Sequence, residues 1–172
     1  MSYDKQSRTE IEDRLAAIRL LSLDADGVLT DGGIYFNDAR EQIRKFNPRD
    51  AVGIKLAQEQ GVQIVIITAS STPSIRHRAI ALGVNHVFLA VEDKCQKLRE
   101  HCESLKLPLD RVAHMGDDIN DVPVMEIVGC PLTVANAVKE AKAASLYVTL
   151  KEGGDGAVRE ICDIIVSAKN RT

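Results

Sequence analysis

Two carboxylates one residue apart, Asp24 and Asp26, interrupt an apolar run and stand immediately before Gly27. Three more acids follow a second glycine in Gly116-Asp117-Asp118-Ile119-Asn120-Asp121. Between these clusters lie a hydroxyl, Thr68, after the apolar stretch Val62–Ile67, and an ammonium, Lys94. Carboxylates, a hydroxyl and an ammonium around one pocket suit phosphoryl transfer through an aspartyl-phosphate. A carboxylate attacks phosphorus competently once the phosphoryl oxygens are neutralised. Mg²⁺ does this with oxygen ligands from one or two carboxylates. Two like charges 4 Å apart repel by about 4 kcal/mol at an effective dielectric near 20, so Asp24 and Asp26 call for a proton or a cation nearby. In this scheme Asp24 attacks, while Asp26 protonates the leaving alkoxide and later deprotonates water. Asp24, Asp117 and the Asp26 main-chain carbonyl hold the metal. Thr68 and Lys94 hold the phosphoryl oxygens, and Asp118 and Asp121 orient metal-bound waters and Lys94.

Each residue also has a plain structural reading. Asp-Gly is a common turn, Asp-Asp before a helix is an ordinary cap, and a Thr closing a strand is a β-former. Lys94 at a helix start is the odd one, because it opposes the helix dipole. The elements that position these residues decide the matter. Leu20–Leu23 reads as a buried strand ending at Asp24, and Val62–Thr68 as a strand buried on both faces. Further strands are expected at Asn85–Leu89, Val112–Met115, Leu132–Val134 and Leu146–Leu150. Helices are expected at Thr9–Ala17 behind a frayed tail of residues 1–7, Ala51–Gln60, Pro73–Leu82, Lys94–Leu105, Asn120–Val128, Val138–Ala144 and Ala157–Ala168. Alternating strands and helices imply βαβ units and a parallel sheet covered on both faces, a Rossmann-like α/β fold. All the candidate residues then fall on one sheet edge, where such folds bind ligands.

Residues 1–172 are expected to form one domain. A β-hairpin at 34–46 is its only sizeable insertion, and a flexible glycine-rich loop at 153–156 precedes the last helix. With 45% hydrophobic residues, a net charge of −3, 3% aromatics and no Trp, the chain suits neither a nucleic-acid backbone nor base stacking. The polar, acid-containing start is unlike a signal peptide, and no apolar run approaches the ~20 residues of a membrane span. The four cysteines lack metal or disulfide spacing, which fits reduced thiols in the cytoplasm.

The four motifs, Asp24-Ala-Asp26-Gly-Val-Leu-Thr-Asp, Thr68, Lys94 and Gly116-Asp117-Asp118-x-Asn-Asp121, resemble those of the haloacid dehalogenase superfamily. The likeness covers nearly the whole chain. Three longer strings are similar to the minimally capped branch that dephosphorylates 3-deoxy-D-manno-octulosonate 8-phosphate. They are DGVLTDGGIYF, the segment from Phe46 through Arg49-Asp50 to Gly53-Ile54, and Gly153-Gly-x-Gly156-Ala-Val-Arg159-Glu160. The resemblance implies a Mg²⁺-dependent phosphatase of an acidic sugar phosphate. It also implies a homotetramer whose hairpins cap neighbouring sites, which the glycine-rich segment can reach too. Its substrate-facing set here would be Asp24, Asp26, Thr30, Arg49, Thr68, Ala69, Ser70, Arg76, Lys94 and Arg159. Members of the branch often carry Gly-Arg after the strand-ending Thr, where this chain has Ala69-Ser70. Arg49, Arg76, Arg78 or a partner's Arg159 is expected to supply the missing cation. The competing readings are a nine-carbon ulosonate 9-phosphate phosphatase, a non-catalytic tetramerisation module and a receiver-like domain. Retention of both Asp24 and Asp26 speaks against the last two.

Overall fold

A computed structural model describes the backbone of residues 5–171 and the side chains of residues 9–171. Its frame is a six-stranded, all-parallel sheet. The strands are β1 (Leu20–Leu23), β4 (Gln63–Ile67), β5 (His86–Phe88), β6 (Val112–Gly116), β7 (Cys130–Thr133) and β8 (Tyr147–Val148), in the order β5-β4-β1-β6-β7-β8. β1 is central because every side chain of LLSL is buried, and only an interior strand can hide both faces. Its register pairs Leu23 with Ile66 on one side and Met115 on the other.

The two faces follow from strand alternation. Leu21, Leu23, Ile64, Ile66 and Met115 pack with α1 (Lys5–Ala17), α2 (Pro48–Glu59), α3 (Pro73–Ala81) and α7 (Ala157–Lys169). Leu20, Val65, Ile67 and Val112 face α4 (Lys94–Ser104) and α5 (Val122–Met125). The large side chains of this core are aliphatic. Truncating one such Leu or Ile to Ala costs roughly 2–5 kcal/mol. α6 (Lys139–Ala144) adds Ala141 to the first face.

Several element boundaries differ from expectation. α1 begins at Lys5, so Thr9 lies within the helix and does not cap it; residues 1–4 of the expected tail lie outside the described residues. Asn47 caps α2, its side chain accepting from Arg49 N at 2.9 Å, so the helix starts at Pro48. The expected helix at 120–128 is a 3₁₀ turn, Ile119–Asp121, followed by the single turn α5, with Asp118 as its cap. The hairpin is β2 (Tyr35–Phe36) against β3 (Gln42–Ile43), two residues each, with a Thr30–Phe46 bridge at its base.

The glycine-rich loop is closely packed. Gly153 and Gly154 are buried, and they pack against the loop after β1. Gly154 N donates to Val28 O at 3.0 Å, and Gly153 N to Asn136 Oδ1 at 3.0 Å. A Cβ on Gly153 would overlap the Gly27 carbonyl, so glycine here permits backbone-on-backbone contact.

Candidate active site

The C-terminal ends of β1, β4 and β6 and the start of α4 converge on a pocket of about 250 Å³. Asp24, Asp26, Gly27, Thr68, Ala69, Ser70, Lys94, Asp117, Asp118 and Asn120 are among its lining residues. After β1 the chain turns sharply, with Ala25 O accepting from Leu29 N at 2.9 Å and Thr30 N at 3.1 Å. Gly27, at φ +87°, makes that turn without strain. Its missing side chain matters equally, because a Cβ there would occupy the position of the Asp117 carboxylate.

Lys94 is the hub of the charges. Asp93 caps α4 by accepting from Gln96 N at 2.8 Å, which sets Lys94 in the first turn. The Lys94 side chain is 2% exposed, with Nζ 2.7 Å from Asp121 Oδ1 and 3.0 Å from Asp24 Oδ1. Burial acts to lower the Lys94 pKa, but Asp24 and Asp121 outweigh it and the net shift is upward. Asp121 is tied on every side. Oδ1 meets Lys94 and, at 3.3 Å, His114 Nε2, while Oδ2 accepts from Asp117 N at 3.0 Å and Asp118 N at 3.3 Å. Burial alone would raise its pKa, but the hydrogen bond from His114 and the Lys94 ammonium hold it well below the usual carboxylate range.

His114 Nδ1 lies 3.0 Å from Ser22 Oγ. With Ser22 donating there, the tautomer that serves Asp121 carries its proton on Nε2. His114 and Ser22 escaped the sequence reading. The signal was one polar residue in each of two apolar strands, and the structure pairs those residues in register.

Asp24 and Asp117 lack such support. Burial and the Asp121 charge push Asp24 up to about 6, against the pull of Lys94. Burial, Asp24 and Asp121 push Asp117 up to about 7. The Lys94 contact with Asp24 Oδ1 attracts by charge but is poorly directed, so this buried oxygen lacks a proper hydrogen-bond donor. Carboxylate oxygens of Asp24, Asp117 and Asp121 lie within 4.8 Å of one another. Asp121 is already filled by four donors, so Asp24 and Asp117 are the pair with spare capacity. Two unfilled oxygen donors suit a hard divalent cation such as Mg²⁺.

The expected residues separate into two groups. Asp24, Asp26, Thr68, Ala69, Ser70, Lys94, Asp117 and Asp118 line the pocket, Asp121 lies directly behind it, and Asn120 joins them unforeseen. Thr30 does not reach the pocket. It is fully buried, and its hydroxyl accepts from Gly27 N and Gly32 N, each at 3.2 Å, so it shapes the loop. Arg49 is exposed, and Arg76 is exposed beside Phe88 and Gln96 in a separate depression. Arg78 donates to Asn47 O at 3.1 Å. Arg159 pairs with Asp163 at 2.7 Å, and its backbone N–H serves Asp50. Arg44 of the hairpin, absent from the expected set, donates to Thr72 Oγ1 at 3.4 Å and pairs with Asp26 at 2.7 Å. A surface-hairpin arginine carried no sequence signal for this position.

A family model for haloacid dehalogenase-like hydrolases matches residues 90–161, the span that holds Lys94 and the Asp117–Asp121 cluster. The chain is 39% identical over 154 residues to 3-deoxy-D-manno-octulosonate 8-phosphate phosphatase KdsC of Escherichia coli K12, covering 90% of this chain and 82% of that one. The fold matches the crystal structure of that phosphatase from Moraxella catarrhalis, in complex with magnesium, phosphate and KDO. The TM-score is 0.92 at 33% identity, over 95% of this chain and 94% of that one. The cobalt-bound form of the deoxy-D-mannose-octulosonate 8-phosphate phosphatase YrbI from Haemophilus influenzae matches with a TM-score of 0.87 at 31% identity, over 91% of this chain and 92% of that one. By sequence and fold together, the chain belongs to the haloacid dehalogenase-like hydrolases and, among them, to the 3-deoxy-D-manno-octulosonate 8-phosphate phosphatase family.

Proposed function

We propose that this protein is a Mg²⁺-dependent phosphatase that converts 3-deoxy-D-manno-octulosonate 8-phosphate to the free sugar and inorganic phosphate, a step in making a lipopolysaccharide precursor. The observation that carries this reading is the meeting of Asp24, Asp117 and Lys94 at one sheet edge in a chain of that family. Asp24 is the nucleophile: its carboxylate oxygen bonds to phosphorus as the ester P–O bond breaks. Asp26 gives its proton to the departing alkoxide, then takes one from the water whose oxygen attacks the aspartyl-phosphate, releasing phosphate and restoring Asp24. Lys94 and Thr68 hold the phosphoryl oxygens. Asp24, Asp117 and the Asp26 carbonyl would hold Mg²⁺, which supplies charge neutralisation at the phosphoryl group. Asp121 keeps Lys94 in place, and His114 and Ser22 keep Asp121 in place.

The same reading makes the enzyme a homotetramer that completes its sites across subunits. Ile34, Tyr35, Phe36 and Ile43 are exposed on a hairpin too small to be stable alone, and Phe36 is 64% exposed. We place its work in the cytoplasm, where its four free cysteines stay reduced.

The direct test is phosphate release with Mg²⁺ from a panel of sugar phosphates that includes eight- and nine-carbon ulosonates. Preference for the eight-carbon 8-phosphate is expected. Preference for a sugar outside the ulosonates would overturn the substrate, and no release from any of them would leave a non-catalytic module.

A further inference from the structure

One side chain of the hairpin behaves unlike its neighbours. Gln42, Ile43 and Lys45 are exposed, but the Arg44 side chain between them is 2% exposed. Its guanidinium forks onto Asp26, with Nε donating to Oδ1 at 2.7 Å and Nη2 to Oδ2 at 3.3 Å. Nη2 also reaches Gln42 Oε1 at 3.3 Å and Thr72 Oγ1 at 3.4 Å. The Thr72 hydroxyl donates to Gln42 Oε1 at 3.2 Å and accepts from Ser70 Oγ at 3.0 Å. The hairpin is therefore laced to the loop after β4 through the same arginine that grips Asp26. Nη1 is buried without a partner, so the Asp26 carboxylate is what compensates this buried charge.

A carboxylate offers about four acceptor sites. On Oδ1, Arg44 Nε and the Thr30 hydroxyl at 3.4 Å take both. On Oδ2, Arg44 takes one and leaves one open, and Asp26 lines the pocket. A planar two-point fork fixes the rotation of the carboxylate as well as its place, which a lysine point charge cannot do. Building on the reading that Asp26 exchanges the proton, we propose that Arg44 is a positioning residue. It presents Asp26 Oδ2 to the leaving-group oxygen, and the seating of the hairpin against Ser70–Thr72 sets that aim.

The test is kcat/KM of the full-length enzyme on two kinds of substrate. One is the alkyl phosphate of the panel that the wild type hydrolyses fastest, whose alkoxide needs a proton. The other is p-nitrophenyl phosphate, whose phenolate leaves without one. Arg44→Met is expected to cost about 100-fold on the alkyl phosphate and less than about 10-fold on the aryl one, within the range of general-acid loss. Arg44→Lys should recover only part of the alkyl rate. In an Asp26→Asn background, Arg44→Met should add less than about twofold, because both changes remove one function. Equal losses on both substrates would reduce Arg44 to a structural part, and additive losses would make it a substrate contact; either overturns the proposal. A wild type that prefers some other alkyl phosphate would sink the substrate assignment while leaving this comparison intact. A wild type active on the aryl phosphate alone would sink the acid role of Asp26, and this proposal with it.

Discussion

The sheet edge and the hairpin are built on opposite principles. At the sheet edge, charge is buried and overdetermined. Asp121 accepts from four donors supplied by α4, β6 and the turn after it, and Lys94 bridges two acids. In the hairpin, two strands of two residues expose apolar side chains, and Arg44 is its buried exception. In the proposed reaction the phosphoryl side is thus held by the core, where dihedrals and charges cannot relax independently. On the proposed reading, the leaving-group side is served by a surface element that reaches Asp26 through one ion pair. Damage to the first region should remove chemistry or stability outright, whereas damage to the second should change substrate handling and assembly.

The largest expected effect is on the edge. Asp24→Asn removes the proposed nucleophile and should abolish detectable phosphate release, while the circular dichroism spectrum stays folded. Near-normal activity would end the aspartyl-phosphate mechanism. Asp26→Asn should lower the rate by roughly 10²–10⁴-fold, since an acid–base group and not the nucleophile is lost. Behind the pocket, Asp121→Asn breaks a buried ion pair and should cost roughly 3 kcal/mol. At about 2–4 °C per kcal/mol for a chain of this size, calorimetry should register a clear fall in Tm; an unchanged Tm would mean the buried charges are not overdetermined after all.

Acidity supplies a gentler probe of the same edge. Burial and the neighbouring acids push Asp24 up to about 6 and Asp117 up to about 7 in the metal-free chain, above the ordinary 3.8. A raised carboxyl pKa favours the protonated folded state, so these two groups cost the metal-free protein stability as pH rises from about 4 to 7. Mg²⁺ must displace their protons, so its affinity should fall at least about tenfold between pH 7.5 and 5.5. Its thermal stabilisation should be larger at the higher pH. Calorimetric titration at both values measures this, and pH-independent binding would remove Asp24 and Asp117 as ligands. The smallest effect on chemistry belongs to the hairpin. Phe36→Asp should split the assembly, as read by light scattering, yet spare most p-nitrophenyl phosphate turnover; an unchanged mass would sever the hairpin from assembly.

Much of the sheet edge was legible before any coordinates. Strand periodicity carried Asp24, Thr68 and Asp117 to the same end of parallel strands, and Lys94 followed from the capped start of α4. The helix at 120–128 was overread, because the cap at Asp118 launches only a 3₁₀ turn and one helical turn. The close packing of Gly153 and Gly154 against the loop after β1 was not legible, because composition does not show which backbone a glycine will meet.

What the sequence determined by itself was the alternation of strands and helices and the side of the sheet on which its acids emerge. Both are set by local periodicity and need only neighbours along the chain. The tertiary structure alone decided that Arg44 grips Asp26 across 18 residues, that Thr30 serves its own loop, and that Ser22 and His114 stand behind Asp121. Such contacts depend on strand register and on how far a long side chain must reach to pair its charge, and neither is encoded in the spacing of residues.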